Sequence, residues 1–505
     1  MPLNENHFNS LYSGENQQQA INRDAAAIEE QTNVSVVRCH LGNPLGPPYI
    51  PSDDKVAEYI SGRSKYESNR GYADVAGHKS LRTAAAAALT RINRLEEDEI
   101  EHSNILAVTG GTGALNITTA IFNDATLLVP EPYYPPWKSI SDKQNCNYEK
   151  FPLTAEDDFL LNYESLHERL TEISNQREGK PIVLTYHYPQ NPTGKTLSEV
   201  EAKKVANTLN KLTAEFPDLY LLQEDLYLGT VAKEEGIYTP LPHLNTGAKE
   251  RTIWLNSPSK IGHPQEWAAI AAAFNPELTK RIRGSSSFAI LGTSSPAFVA
   301  TTNTLLHIAQ GGVDAVTEKT KDNHRFVTAD YYQERLKIMV DAFQDVENKA
   351  NTKLLTGGMP KGAYYLYPSF DCLRGKDIPE ELLHIFDGKK TFENSDDLAL
   401  ALKNAHLLGL RPVTISPGSL FTDDKSVMTM RIATVETDIQ KTHSAANTFK
   451  GIIQKTLDIE LDAEFKSGLD ELNEAFPIET NVEKFRNPFL LDIKEQTFSV
   501  NPRFR

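Results

Sequence analysis

The 505-residue sequence has little of several features that mark specialised environments. It has only three cysteines, Cys39, Cys146 and Cys372, which are far apart and odd in number, so neither a disulfide framework nor a zinc-ligand spacing is predicted. No apolar run is long enough to cross a bilayer, and residues 1–30 lack the apolar segment of a signal peptide. These absences predict a cytoplasmic protein with no membrane partner and no metal site.

The chain also lacks a basic excess and an internal repeat. Its formal net charge is −16, and phosphate backbones need a basic face, so no nucleic-acid partner is expected. Hydrophobic residues make up 39% and charged residues 24% of the chain, as is typical of globular proteins. A chain of this length is too long for one hydrophobic core, so at least two lobes are expected.

Short apolar runs alternate with helical stretches between about residues 75 and 330. One predicted helix, over 198–215, opens with Ser198 and Glu201 at capping-box spacing, and another covers 78–94. The alternation predicts the α/β class, with a large domain in which a mostly parallel sheet lies between helices. The predicted organisation is an N-terminal segment (1–74) that joins a small domain, the large domain (75–335), the smaller α+β domain (336–454) and an extension of unassigned role (455–505).

A polar cluster marks the end of each of five predicted strands, over 104–109, 126–131, 181–188, 219–225 and 252–257. In chain order these clusters read GGTGAL, EPYYPPW, QNPTG, EDLY and SPSK. Ligands of open α/β sheets bind beyond the carboxyl ends of the strands. Because these ends carry glycine, aromatic, amide, acidic and amine groups, we expect them to form one composite site.

Taken in this order, the clusters resemble those of the pyridoxal-phosphate (PLP) dependent aminotransferases of fold type I, the aspartate-aminotransferase-like superfamily. The resemblance runs from about Leu41 to Ala445 and rests on the ordered set, since no single motif is decisive. It implies pyridoxal 5'-phosphate as the cofactor of the large domain, with an amino acid and a 2-oxo acid as substrates. It also implies a homodimer with shared active sites, to which the segment 1–74 supplies contacts.

Lys260 ends the sequence Ser257-Pro258-Ser259-Lys260, which resembles the S-x-S-K of the family. The resemblance implies that Lys260 holds PLP as a Schiff base and then acts as general base at the substrate Cα, for which its amine must be held desolvated. A surface lysine after a strand is the ordinary alternative, but it leaves both serines unexplained. The sequence therefore predicts an aminotransferase that moves the amino group of an amino acid to a 2-oxo acid.

The resemblance assigns further cofactor contacts to the strand ends. Backbone N–H groups at a glycine-rich helix N-terminus cradle phosphate, although a strand-to-helix turn without a ligand explains GGTGAL equally well. An NPTG turn and a core tyrosine beside a proline are also common without any cofactor. The implied contacts are Gly111, Thr112, Gly113 and Ser257 to the phosphate, Tyr134 stacked on the pyridine ring, and Asn191 to the phenolic O3′.

The segment Glu224-Asp225-Leu226-Tyr227 resembles the Asp-x-x-Tyr of the family, in which a carboxylate pairs with the pyridine nitrogen and the tyrosine hydroxyl bonds O3′. A fixed negative charge keeps the ring cationic and able to withdraw electrons. Spacing to Tyr227 favours Glu224, whereas residue type favours Asp225, and strand alternation lets only one of the two face the site. We favour Glu224 on spacing, although either acid could be an ordinary residue at a strand end.

Three more matches lie outside the sheet. Arg431, in Met-Arg-Ile-Ala, resembles the arginine that grips the substrate α-carboxylate, a task that suits its planar fork. Gly42 resembles part of the substrate-side loop, and Asn191 is expected to reach the substrate as well. Tyr72 resembles the tyrosine that reaches the phosphate of the neighbouring subunit. For Arg431 the ordinary alternative is a surface residue, since a lone arginine on a strand is more often exposed.

The sequence departs from the family pattern after the lysine. Trp267 stands where the family places an arginine that neutralises the phosphate, so PLP is expected to dissociate more readily than in arginine-bearing relatives, unless another cation, such as Lys280, Arg281 or Arg283, takes that role. Two other functions stay open on the same fold. One is a different PLP reaction, such as β-decarboxylation, elimination or oxidation, and the other is a non-catalytic scaffold, which the missing arginine favours and the absence of a basic helix-turn-helix in residues 1–40 disfavours.

Overall fold

The computed structural model of the chain describes residues 17–42, 44, 53–61, 74–231, 236–261, 268–311, 329–355, 359–436 and 438–459. Its α-helices are α1 (Gln17–Thr32), α2 (Asp53–Ile60), α3 (Lys79–Asn93), α4 (Gly110–Thr119), α5 (Pro136–Gln144), α6 (Tyr163–Gln176), α7 (Glu199–Glu215), α8 (Thr246–Lys249), α9 (Pro276–Ala289), α10 (Ser295–Gly311), α11 (Ala329–Ala350), α12 (Ser395–Lys403) and α13 (Ile439–Leu457). Its strands are β1 (Val37–Arg38), β2 (Ile105–Val108), β3 (Thr126–Glu131), β4 (Asn147–Pro152), β5 (Ile182–Tyr186), β6 (Leu219–Asp225), β7 (Thr252–Asn256), β8 (Ala269–Ala273), β9 (Tyr365–Leu366), β10 (Val413–Thr414), β11 (Ser416–Pro417) and β12 (Met430–Ala433).

The largest sheet in the described part of the chain has seven strands in the order β2-β8-β7-β6-β5-β3-β4. Only β8 is antiparallel to its neighbours, β2 and β7, so the predicted α/β class with a mostly parallel sheet is confirmed. All five predicted strands are present within one or two residues of their expected bounds. The sequence analysis missed β4 and β8, because NYEKFP is largely polar and the small residues of AIAAA are typical of helices.

Helices cover both faces of this sheet. Leu89 of α3, Leu170 of α6 and Leu209 of α7 pack in the core of one face, whereas Leu115 of α4 and Trp137 of α5 pack in the core of the other. The two faces explain why β5 and β7 are buried at every position.

Helix α7 shows how local sequence fixes an element. The Ser198 hydroxyl accepts from the Glu201 N–H at 3.3 Å, and the Glu201 carboxylate accepts from the Ser198 N–H at 2.7 Å. This is the predicted capping box, which satisfies donors that the first helical turn leaves free. The helix begins directly after the loop that carries Asn191, so the cap helps to place that loop.

A second core lies around the small sheet β11-β12-β9 and the β1–β10 pair. Val37 and Cys39 of the N-terminal part pack there with residues of α11, α12 and α13. Helix α11 runs through the predicted boundary at 335/336. Before the boundary, Tyr332 packs in a cluster with Tyr227, and after it Leu336 packs in the second core. The four-part division of the chain stays a prediction. In the ranges that the structure describes, no helix is long and apolar enough to cross a membrane.

Candidate active site

A cavity of about 190 Å³ lies at the carboxyl ends of β5, β6 and β7. Its wall brings together residues from all five predicted clusters, which are separated by up to about 150 positions in the sequence. The residues predicted from the sequence that line it are Gly111, Thr112, Tyr134, Asn191, Glu224, Tyr227 and Lys260. Within the described ranges, no group of three or more His, Cys, Asp or Glu side chains could hold a metal ion.

The glycine-rich end of the cavity is shaped for an anion. Gly110 starts α4 with a φ of +63°, a backbone conformation that suits glycine. A Cβ atom on Gly111 would lie 3.0 Å from Leu226 Cδ1, so a larger residue would press on the cavity wall. The N–H groups of Gly110, Gly111 and Thr112 have no partner within the helix and are available to an anionic ligand, whereas Gly113 lies four positions after the N-cap Thr109, so its N–H has the Thr109 carbonyl as its helical partner. The Thr112 hydroxyl adds a side-chain group 3.4 Å from Tyr134 Oη.

Lys260 lies at the end of a 3₁₀ turn, Pro258–Lys260, directly after β7. Its Nζ donates to the Gly42 carbonyl at 2.7 Å and lies 5.4 Å from the centre of the Tyr227 ring. Burial, followed by the positive charge of Arg431, lowers the pKa of Lys260 to about 8. An amine in this range is readily deprotonated and can serve as a nucleophile or a base.

The two adjacent acids at the end of β6 face opposite sides of the sheet. Glu224 lines the cavity, is 4% exposed, and its Oε1 has no hydrogen-bond partner among the described residues. Asp225 Oδ2 accepts from Gln223 Nε2 and Trp254 Nε1, each at 2.7 Å. Burial raises the pKa of Glu224 to about 8, with the Trp137 indole opposing the shift and Asp225 adding to it. Burial also raises the pKa of Asp225 to about 7, against the lowering effect of its two hydrogen bonds.

Arg431 is a buried cation that has no anionic partner among the described residues. Its side chain is 2% exposed. Nη1 donates to Asn191 Oδ1 at 3.0 Å, while Nη2 donates to the His40 carbonyl at 2.7 Å and to Ser416 Oγ at 3.2 Å. Among the described residues it has no carboxylate within 4.0 Å, and its Nε has no partner. Since an unpaired buried charge is costly, this guanidinium favours an anionic ligand beside Asn191.

Tyr227 is tied to a residue that the sequence analysis missed. Its hydroxyl lies 2.9 Å from the Tyr365 hydroxyl, which donates to the Gly42 carbonyl at 3.2 Å. The Tyr365 ring also lies against Arg431, with 4.7 Å from its centre to the guanidinium carbon. A Cβ atom on Gly42 would lie 2.9 Å from Tyr365 Oη, so glycine permits this close approach.

Some predicted contacts do not reach the cavity wall. The Ser257 hydroxyl donates to the Ala268 carbonyl at 3.2 Å and accepts from the Ser259 N–H at 3.2 Å, so it caps the turn, while Ser259 lines the cavity. Its predicted contact with phosphate stays a prediction. Tyr72 and Trp267 lie outside the described residues.

The three alternative cations for the phosphate are engaged elsewhere. Lys280 and Arg281 lie within 3.8 and 3.0 Å of Glu277 on the exposed face of α9. Arg283 lies 2.7 Å from Asp74. None of these three described side chains lines the cavity.

Besides Tyr365, the sequence analysis missed His187 and His40. His187 follows β5 and lines the cavity; a polar residue that ends an apolar strand, four positions before Asn191, is the signal that could have indicated it. The carbonyl of His40 holds Arg431, a contact between positions 391 residues apart that no local pattern predicts. Burial, and then the charges of Arg431 and Arg38, lower the pKa of His40 to about 3.

The residues present fit PLP. The α4 turn suits a phosphate, Lys260 supplies an amine with a pKa near neutrality, and the unpartnered Glu224 suits a protonated ring nitrogen. The fold and the cavity thus define a PLP-dependent enzyme. Residues 42–368 match the model of the family described as aminotransferase class I and II, and the chain belongs to this family. It is a PLP-dependent aminotransferase.

Relatives agree with this assignment, and a solved structure shows the same fold. A bifunctional aspartate aminotransferase and glutamate/aspartate-prephenate aminotransferase of Petunia hybrida is 24% identical over 446 residues, which cover 85% of this chain and 80% of that protein. An aspartate aminotransferase of Pyrococcus horikoshii is 24% identical over 329 residues, covering 64% of this chain and 74% of that protein. The crystal structure of the aspartate aminotransferase from Rhizobium meliloti superimposes with a TM-score of 0.68 at 20% identity, over 90% of this chain and 99% of that one.

Proposed function

We propose that this aminotransferase acts on an α-amino acid and a 2-oxo acid, with Lys260 as both the cofactor-bearing residue and the general base. The observation that carries the proposal is that Lys260, with a pKa lowered to about 8, lines the same cavity as Glu224, whose Oε1 has no partner among the described residues. When bound, PLP withdraws electrons from the substrate Cα and carries the amino group. A PLP ring bound between Lys260 and Glu224 would explain why both ionisable groups are buried.

Each remaining side chain has a separate task in this proposal. Glu224 holds the protonated ring nitrogen, whereas Asp225, which packs on the other face, does not take part. Asn191 and Tyr227 bind O3′, and Tyr134 packs on the ring. The proposed phosphate contacts are Gly111, Thr112, Gly113 and Ser257, together with Tyr72 of a second subunit.

Arg431 binds the substrate carboxylate and Lys260 moves the proton at Cα. The guanidinium is buried and has no carboxylate partner in the described ranges, and two of its nitrogens are already oriented by Asn191, His40 and Ser416. A preorganised fork binds a carboxylate with little loss of side-chain entropy. Gly42 lies between Arg431 and Lys260, and its carbonyl holds the free amine of Lys260 at 2.7 Å. This contact keeps the amine at the substrate side after it is released.

The substrate side chain is not assigned by the names of the relatives. Lys260 is the only cationic side chain among the described residues that line the cavity. A second carboxylate, as in aspartate, would therefore need a cation from residues outside the described ranges or from a second subunit.

We also propose a cytoplasmic homodimer. The cytoplasmic location rests on three free cysteines without a disulfide. The dimer rests on the resemblance of Tyr72 and on exposed apolar side chains at the end of α9, where Phe288 is 96% and Leu291 63% exposed. Sedimentation at assay concentration should give a dimer, and Tyr72→Phe should weaken PLP retention; a fully active monomer would exclude the shared site.

A product assay tests the function itself. The purified protein, PLP, one amino acid at a time and a 2-oxo acid should yield the new 2-oxo acid and the new amino acid in equal amounts. Release of ammonia or CO₂ in place of the new amino acid would show that the chain runs another PLP reaction.

A further inference from the structure

One face of the central sheet, on the side of the cavity, carries several buried polar atoms without partners among the described residues. Residues Val183 and Leu222 pack in the core on this face, and alternation along the strands places Thr185, His187 and Glu224 on it too. Four buried atoms here have no hydrogen-bond partner among the described residues: Trp137 Nε1, Thr185 Oγ1, His187 Nδ1 and Glu224 Oε1. Buried polar atoms without partners are costly, and three of the four, on Trp137, His187 and Glu224, are two N–H donors and one carboxylate acceptor.

The proton of His187 can be placed from its one contact. The ring Nε2 lies 2.9 Å from the Asn191 backbone nitrogen and 3.2 Å from the Asn191 oxygen. The amide hydrogen is fixed and points at Nε2, so this ring nitrogen must carry the lone pair. Burial lowers the pKa of His187 to about 4, so the ring is neutral and its proton is on Nδ1. His187 therefore presents an unpartnered N–H donor.

Strand pairing brings this donor to Glu224. Tyr186 of β5 is opposite Gln223 of β6, so the next position along both strands places His187 beside Glu224. Both side chains line the cavity. The Trp137 indole is near enough to lower the pKa of Glu224, although its Nε1 lies outside hydrogen-bond geometry. Two side chains with N–H donors, His187 and Trp137, therefore lie on the same face of the sheet as Glu224, whose Oε1 has no partner among the described residues.

We propose that in the PLP-bound protein His187 acts as a positioning residue which, together with Trp137, turns its N–H to the Glu224 carboxylate and keeps this carboxylate ionised against the protonated ring nitrogen of the cofactor. The inference rests on the proposed function, in which the ring nitrogen of PLP is the other partner of Glu224. A buried carboxylate stays ionised only if donors replace its lost water. Neutral donors do this without cancelling the negative charge that the ring nitrogen requires.

The protonation state of the ring nitrogen tests this inference without any turnover. Apo-protein is loaded with PLP labelled with ¹⁵N in the ring, and the nitrogen chemical shift is read at neutral pH. In the parent protein the nitrogen should be protonated. In His187→Leu the ratio of protonated to unprotonated nitrogen should fall about tenfold or more, since a hydrogen bond to a charged group is worth at least about 1.4 kcal/mol.

Three further variants separate positioning from folding. His187→Asn places an amide N–H near the position of Nδ1–H and should restore most of the protonated signal. Trp137→Phe leaves the Asn191 contact intact and should shift the signal in the same direction as His187→Leu. Thr185→Val removes the neighbouring unpartnered hydroxyl, which does not line the cavity, and should leave the signal unchanged.

The outcomes distinguish this inference from the proposed function. If the parent protein binds PLP with a protonated nitrogen and both His187→Leu and Trp137→Phe retain that signal, the positioning role is wrong while the proposed function stands. If His187→Leu does not fold, an unchanged signal in Trp137→Phe overturns the inference, because His187→Asn is expected to keep the signal in either case. If the parent protein does not bind PLP, the proposed function fails and this inference fails with it.

Discussion

Glu224 and Asp225 are neighbours on one strand with different surroundings. Both are buried carboxylates, and burial raises the pKa of each, to about 8 and about 7. Asp225 is held by Gln223 and Trp254 on the core face, and the Tyr186 hydroxyl extends this network by donating to Gln223 at 2.9 Å. Glu224, on the cavity face, has an oxygen with no protein partner in the described ranges. A buried acid whose oxygens have hydrogen-bond partners stabilises the fold, whereas a buried acid with an unpartnered oxygen indicates a ligand site.

The same contrast separates two buried arginines. Arg82 donates to the Gly77 and His102 carbonyls and lies 3.9 Å from Asp74. Arg431 has neutral partners only within the described residues, and it lies beside Asn191 at the cavity. The features that mark the site are therefore the charges that the fold buries and leaves unpaired.

The largest expected effect comes from exchanging the two acids for amides. Glu224→Gln should lower kcat about 100-fold or more, because the ring nitrogen loses its fixed counter-charge. Asp225→Asn should lower kcat by less than about 10-fold, because it alters only the packing behind β6. Steady-state kinetics of both variants measures this ranking, and the reverse order would mean that Asp225 is the acid that faces the cofactor.

The two arginines give the next effect. Arg431→Met should raise KM for the amino acid about 100-fold, the cost of losing a bidentate charge-assisted contact. Arg82→Met serves as the matched control, with the same loss of a buried charge away from the cavity; its KM should change little while its melting temperature falls. An unchanged KM in Arg431→Met would place the carboxylate-binding group elsewhere.

The pH dependence of the free energy of unfolding tests the raised pKa of Asp225. Its pKa is raised from 3.8 to about 7 in the folded chain, so its contribution to stability is full below pH 4 and is lost as the pH rises to about 7. Asp225→Asn should remove this loss, worth on the order of a few kcal/mol. The melting temperature of apo Asp225→Asn, relative to that of the apo parent protein, should therefore be higher at pH 8 than at pH 5. A difference that does not change with pH would contradict the raised pKa of Asp225.

The smallest effect is expected at Tyr365. Tyr365→Phe removes one hydroxyl from the Tyr227 pair and one donor from the Gly42 carbonyl, while Tyr364 still donates to that carbonyl at 3.2 Å. Turnover should fall by about 2- to 5-fold, the size of one neutral hydrogen bond. Tyr364→Phe is the matched control, and a loss of several orders of magnitude in Tyr365→Phe alone would make Tyr365 a catalytic residue.

The sequence predicts the sheet well because its strands are short apolar runs with polar ends. The bounds of β6 match the predicted 219–225, and the spacing between Glu224 and Tyr227 favours the acid that lines the cavity. Contacts between residues far apart in the sequence cannot be predicted from such local patterns. Tyr365 meets Tyr227 over 138 positions, and the His40 carbonyl meets Arg431 over 391, so only tertiary packing reveals them. The free Nδ1 of His187 likewise depends on how the Asn191 loop turns back on the ring.

Chemical trapping tests the central claim, that Lys260 carries the cofactor, most directly. Borohydride reduction of the PLP-loaded protein fixes the cofactor to its lysine, and mass spectrometry of the digest locates the added mass. We expect a single modified peptide that contains Lys260, and no stable adduct in Lys260→Ala even though that variant still binds PLP. A modified peptide around another lysine, or full activity in Lys260→Ala, would contradict it.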